Sequence, residues 1–152
     1  MSGNIYEAAV TKTTSAAAGV IAAIQPAALS STVRMPELRE IGIANLSGAT
    51  AEFGLCWGTT AGTTPSGGAT VINPQNGGAG GTQLIPAYAT PPTVASTFTR
   101  RFPLQAVTGS GVIWTWLPGE WPLWGGSSNF PFCIYQISAV AVSYDIYCKV
   151  AE

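Results

Sequence analysis

The chain has no histidine, and charged residues make up only 9% of it, against about a quarter in an ordinary domain. Each shortage removes a class of chemistry. Without histidine there is no imidazole base to activate the many serines and threonines, and Lys12 and Lys149 are the only lysines that could stand in. Cys56, Cys133 and Cys148 have no histidine to complete a zinc site, and none of them falls in a CxxC pair. They read as buried free thiols acting as small apolar residues. Their odd number argues against a secreted disulfide scaffold. A net charge of −1 makes no electrostatic case for nucleic acid or an anionic membrane as partner. No GxSxG, Walker or dinucleotide motif occurs. The run Gly77-Gly78-Ala79-Gly80-Gly81 lacks the lysine and the following helix of a phosphate loop. No cofactor and no metal are expected, and no enzyme.

Long apolar runs are also missing. Ala16–Ile24, preceded by Glu7 and Lys12, is the nearest to a leader or a membrane segment, and it is too short to span a bilayer. Export is not expected, so the sequon Asn45-Leu46-Ser47 carries no weight.

The scarcity of charge is uneven. From Phe53 to Thr99, between Glu52 and Arg100, there is no charged residue at all. A soluble monomer normally spreads charge over its surface. A long charge-free stretch implies a surface covered by other protein, and so an assembly component rather than a free enzyme.

What is present is β-forming. The chain has 152 residues, 47% of them hydrophobic, with 18 glycines and 11 prolines, which suits one domain of short strands joined by turns. Residues 1–32, rich in Ala, Thr and Ser, read as an extended arm with one or two short strands. Residues 33–152 read as the β-sandwich domain. Within it, Val33–Ala44 and Ala51–Gly58 predict an antiparallel hairpin around the turn Asn45-Leu46-Ser47-Gly48. Residues 59–92 predict a long ordered loop region. Val94–Leu104 predicts a strand broken by Pro103. Val112–Leu117 predicts a strand buried on both sides, and Phe132–Ile137 another. The clearest signal is Val140–Ala151, where Val140, Val142, Tyr144, Ile146, Cys148 and Val150 alternate with the opposite face. The total of about eight strands predicts an all-β, antiparallel sandwich of jelly-roll type.

Candidate chemistry is sparse. Glu37 and Glu40 form a close acidic pair, but on a strand they point to opposite faces and cannot easily serve as a glycosidase pair. Arg34 and Arg39 offer them salt-bridge partners. Trp114 and Trp116 fit the sandwich core, whereas Trp121 and Trp124, in a Pro/Gly-rich loop, fit an interface or a sugar-stacking platform. The candidate interface residues are Tyr6, Val10, Ile21 and Ile24 in the arm, Val71, Ile72, Leu84, Ile85 and Tyr88 in the uncharged region, and Trp121 and Trp124.

The segment Val33-Arg34-Met35-Pro36-Glu37-Leu38-Arg39-Glu40-Ile41-Gly42-Ile43-Ala44-Asn45, with Gly109-Ser110-Gly111-Val112-Ile113-Trp114-Thr115-Trp116, the later Gly-Ser-Ser-Asn loop and the closing strand to Glu152, resembles small β-sandwich structural proteins of tailed bacteriophages. The resemblance covers about two thirds of the chain, and its motifs are architectural rather than catalytic. It implies a virion protein of the capsid decoration (cement) type. Such a protein would be made in the host cytoplasm and sit on the outer capsid surface, against the major capsid protein and copies of itself. A receptor- or glycan-binding module of a phage tail or head fibre, using Trp121 and Trp124, is the alternative.

Overall fold

The structure is a computed structural model, and it describes residues 4–26, 36–63, 68–122, 124 and 130–152. Arg34 and the start of the predicted strand at Val33 lie outside the described residues. Ten strands form, and no helix occurs among the described residues. They are β1 (Ile5–Thr13), β2 (Gly19–Pro26), β3 (Glu37–Asn45), β4 (Ala51–Trp57), β5 (Ala69–Ile72), β6 (Ala79–Ile85), β7 (Arg100–Leu104), β8 (Gly111–Thr115), β9 (Phe132–Gln136) and β10 (Ser143–Ala151).

All ten join one antiparallel sheet in the order β7-β4-β9-β2-β6-β5-β1-β10-β3-β8. The sheet curls until it is nearly a closed barrel. Its interior is filled from both sides: Phe53 of β4 meets Tyr144 of β10 edge-on, ring centroids 4.6 Å apart. The two edge strands come together through Phe102 of β7 and Trp114 of β8, 4.2 Å apart.

The pairing is nested. β1 pairs β10, β2 pairs β9, β3 pairs β8 and β4 pairs β7. The predicted hairpin of the third and fourth strands is therefore corrected. β3 lies between β10 and β8, and β4 lies between β9 and β7. The reason is Asn45, which is fully buried. Its amide nitrogen donates to the carbonyls of Ala49 (2.6 Å) and Gln105 (2.9 Å), and its amide oxygen accepts from the backbone N–H of Ser47 (3.0 Å). These bonds carry the chain across the end of the barrel instead of folding it back. A buried amide so fully partnered is committed to structure.

Two further expectations are corrected. Of the residues expected to form an arm, the described ones, 4–26, belong to the sheet: β1 runs between β5 and β10, with Tyr6, Ala8 and Val10 packed against the core. The uncharged region 59–92 is not only loop. Its β5 and β6 pair with each other, while β6 pairs β2 and β5 touches β1 at Glu7–Ile72. This hairpin closes the barrel wall between β1 and β2. Glu152 latches the thin part of that wall, its carboxylate accepting from the backbone N–H groups of Gly81 and Thr82, each at 2.8 Å.

β10 begins at Ser143, later than predicted, and keeps the alternation, with Val142, Tyr144, Ile146, Cys148 and Val150 inside, whereas Val140, expected on the same face, is exposed. In β3 the period slips. The register shifts opposite Lys149/Val150 and leaves Arg39 as the extra residue, so Leu38 turns inward with Ile41 and Ile43. β8 is not buried on two sides. It is an edge strand whose Trp114 packs inward while Ile113 is 62% exposed. The strand predicted at Val94–Leu104 begins only at Arg100. Phe102 faces the interior, while Phe98, before the strand starts, packs on the outside.

Candidate functional site

The two outer faces of the barrel differ in chemistry. On β1, β10 and β3 a row of charge crosses the strands. Lys149 of β10 is opposite both Glu7 of β1 and Glu40 of β3. Its ammonium lies 2.9 Å from Glu40 and 3.7 Å from Glu7. The Tyr147 hydroxyl donates to Glu40 at 2.9 Å, and Thr11 donates to Asp145 at 2.6 Å. Burial pushes the Glu40 carboxyl up, but the bonds from Lys149 and Tyr147 and the Lys149 charge more than offset this and hold it below its ordinary value. The same bond to Glu40 raises Lys149. The ring of Tyr147 lies over Gly42, where an added Cβ would come within 2.0 Å of it.

Among the described residues, the outer face of β2, β9 and β4 carries a single ion pair, at its edge, where Arg101 of β7 bridges Glu52 of β4 at 2.7 Å and lies over the Phe98 ring. Ala23, Cys56 and Cys133 are fully buried on this face beneath Tyr88, Val94 and Phe98. These three side chains come from residues 86–99, a flap that crosses this face. Backbone bonds fasten it to the end of β4 and the residues after it: Thr99 to Leu55 (2.8 Å), Ala95 to Trp57 (2.9 Å) and Thr59 to Thr93 (2.6 Å). Phe98 lies over Gly54, where an added Cβ would meet the ring at 2.2 Å. The cysteines are free. Burial, the main cause in each case, pushes Cys56 up to about 11, Cys148 up to about 12, and Cys133 higher still. They are unreactive at neutral pH, because the thiolate is the nucleophile.

The acidic pair is structural. Glu37 bridges to Arg39 and Glu40 to Lys149. Among the described residues no group of three or more His, Cys, Asp or Glu could hold a metal ion, and no helix is long and apolar enough to cross a membrane.

Of the predicted interface residues, Ile21, Ile24, Val71, Leu84, Ile85 and Trp124 are buried by this chain's own residues and present no surface to a neighbour. Tyr6 and Val10 also pack against the core. Tyr88 lies half-buried in the flap, and Ile72 is 41% exposed. Trp121 is half-buried, with the Arg39 guanidinium 3.6 Å above its ring centroid. Trp124 plugs one end of the barrel. Its indole N–H donates to the Phe130 carbonyl at 3.0 Å, and its ring meets Trp57 edge-on at 5.7 Å. The tryptophans that do reach a cleft are Trp57 and Trp116, each half-buried and set edge-on to Phe132 (5.0 and 6.2 Å). The apolar residues exposed beside edge strand β8, Val107, Ile113 and Leu117, were not anticipated. No local signal separates them from core residues, since their exposure follows from β8 being an edge.

Comparison with protein-family models, curated proteins and solved structures finds no match to the chain.

Proposed function

We propose that the chain is a non-enzymatic structural protein of a bacteriophage virion, binding the outer capsid shell and stabilising contacts between capsomers. The major capsid protein and copies of itself are the partners this reading requires. Strand order supports it at the level of fold. With β5 and β6 set aside as an insertion, the sheet halves run β1-β10-β3-β8 and β2-β9-β4-β7. We read this order as that of an eight-stranded jelly roll, an architecture used by viral capsid domains and lectins. Fold analogy alone does not assign function.

The observation that carries the reading is the distribution of charge over the surface. Thr59, Thr60, Ala61 and Thr63, with Ala87, Ala89, Thr90, Pro91, Thr93, Ser96 and Thr97 of the flap, are exposed and uncharged. A surface of small neutral side chains can be stripped of water without stranding a charge, a cost that burdens charged interfaces. Repeated contact over a lattice multiplies a modest affinity. Sedimentation of the purified chain with and without empty capsid shells of the phage that encodes it tests the role. Co-sedimentation at a fixed ratio of chain to capsomer is expected. A monomer that stays in the supernatant would remove the proposal.

A further inference from the structure

We propose that the cleft beside the gap between β7 and β8 binds a pyranose ring. Its volume is about 320 Å³, at the small end of ligand pockets (roughly 300–1,000 Å³) and suited to one sugar residue. Trp57 and Trp116 supply its aromatic walls, with Phe132 behind them, and Thr99, Arg100 and Glu120 its polar lining. The walls are set before any ligand arrives. Both tryptophans rest edge-on against Phe132, which is fully buried, and Trp57 is braced again by Trp124.

The polar groups are exposed at the cleft and are not committed to another charged side chain. Among the described residues, Arg100 is the one arginine with no carboxylate partner, as Arg39 pairs with Glu37 and Arg101 with Glu52. Arg100 donates only to the carbonyl of Thr99, at 3.1 Å. Glu120 is the one carboxylate among them whose side chain holds no partner. Lys12, Arg100 and Glu120 have no charged partner among the described residues, and the two of opposite sign, Arg100 and Glu120, line the same cleft.

Glu120 is also placed deliberately. Leu117-Pro118-Gly119-Glu120 forms a turn closed by the Glu120 N–H to the Leu117 carbonyl at 2.9 Å, with Gly119 at φ 89°. Proline then glycine at its centre is the type II pattern, in which the third residue needs positive φ. The incoming and outgoing chain is pinned to β3, by Trp116 N–H to Arg39 and by the Pro122 carbonyl to Leu38. A carboxylate that accepts, a guanidinium that donates and a flat aromatic wall match a sugar's hydroxyl edge and apolar ring face. An acidic peptide would leave Glu120 opposed, and a basic one Arg100.

The test is titration of tryptophan fluorescence with the methyl glycosides of glucose, galactose, mannose and N-acetylglucosamine, alongside a printed glycan array. Saturable quenching by at least one glycoside is expected. It should weaken about tenfold or more in Glu120→Gln, Arg100→Met and Trp116→Ala, and remain in Trp121→Ala, whose ring is held by Arg39. Glu120→Gln should keep the wild-type melting temperature, which separates loss of the site from loss of the fold. The proposal is overturned by no saturable change with any glycoside and no array signal, or by binding that Glu120→Gln leaves intact. Quenching by a proline-rich peptide in place of every sugar would overturn it too. None of these outcomes bears on capsid co-sedimentation.

Discussion

The outer face of β1, β10 and β3 and the outer face of β2, β9 and β4 each seat an aromatic ring on a glycine, yet they do so with opposite chemistry. On the first, Tyr147 belongs to the sheet itself, and its hydroxyl is tied into the Glu40–Lys149–Glu7 row. That face is finished with charge and suits water. On the second, Phe98 arrives from the flap, has no polar end, and brings a cover whose exposed residues are neutral. One face stays wet because its charges are partnered but accessible. The other is dry beneath and, apart from the Arg101–Glu52 pair at its β7 edge, neutral above, and under the proposed function it is the face that meets other protein.

A matched pair of substitutions breaks the comparison most strongly. Gly42→Ala and Gly54→Ala each drive a methyl group into a ring, and overpacking of this kind costs about 1–3 kcal/mol. Both should lower the urea midpoint. Only Gly54→Ala should also lift the flap, giving new protease cleavage within residues 86–99 under native conditions. Cleavage of the flap in Gly42→Ala to the same degree would erase the distinction between the faces.

An intermediate effect is expected from alkali. Cys56 sits under the flap with its folded-state value raised to about 11, against about 8.5 for a free thiol. A raised value means stability that is complete below the unfolded value and lost as pH rises through the folded one. Stability should therefore fall from about pH 8.5 towards 11, and Cys56→Ala should flatten part of that fall in urea titrations at each pH. On the charged face, Glu40 is depressed, so its share is present above the unfolded carboxylate value and fades as pH drops through the lower folded one. Lys149 is raised, and its share goes only at high pH.

The smallest effect belongs to the row of charge. Lys149 is partly exposed, and exposed ion pairs contribute about 0–1 kcal/mol. Lys149→Met should cost no more than that by chemical denaturation, with the loss shrinking in high salt. A cost of several kcal/mol would mean the row acts as a buried network.

Much of the wall was legible in the sequence, because period-two alternation reports which side is buried. β10 follows from it directly, whereas Tyr6 and Val10, expected at an interface, face the core because β1 is an interior strand of the sheet. The alternation fails at Arg39, where an extra residue turns Leu38 inward, and a bulge leaves no local mark. The β3–β4 hairpin was misread because a four-residue Asn-Leu-Ser-Gly turn favours one locally. What prevents it is a bond from Asn45 to Gln105, sixty positions away. The charge-free stretch was read as covered by other protein, whereas part of it is covered by the chain itself. Val71, Leu84 and Ile85 close the barrel, and Tyr88, Val94 and Phe98 cap its outer face. The cleft was out of reach, since Trp57, Arg100 and Glu120 come from three separate segments. Only the Pro118-Gly119 turn that sets Glu120 was visible locally.

Hydroxyl-radical footprinting of the chain, free and mixed with the capsid shell proposed as its partner, tests the proposed docking role most directly. The result expected is protection of the exposed flap and residues 59–63, with Tyr147 and its neighbours on the charged face as reactive as in the free protein. Protection of the charged face with the flap left open would contradict it.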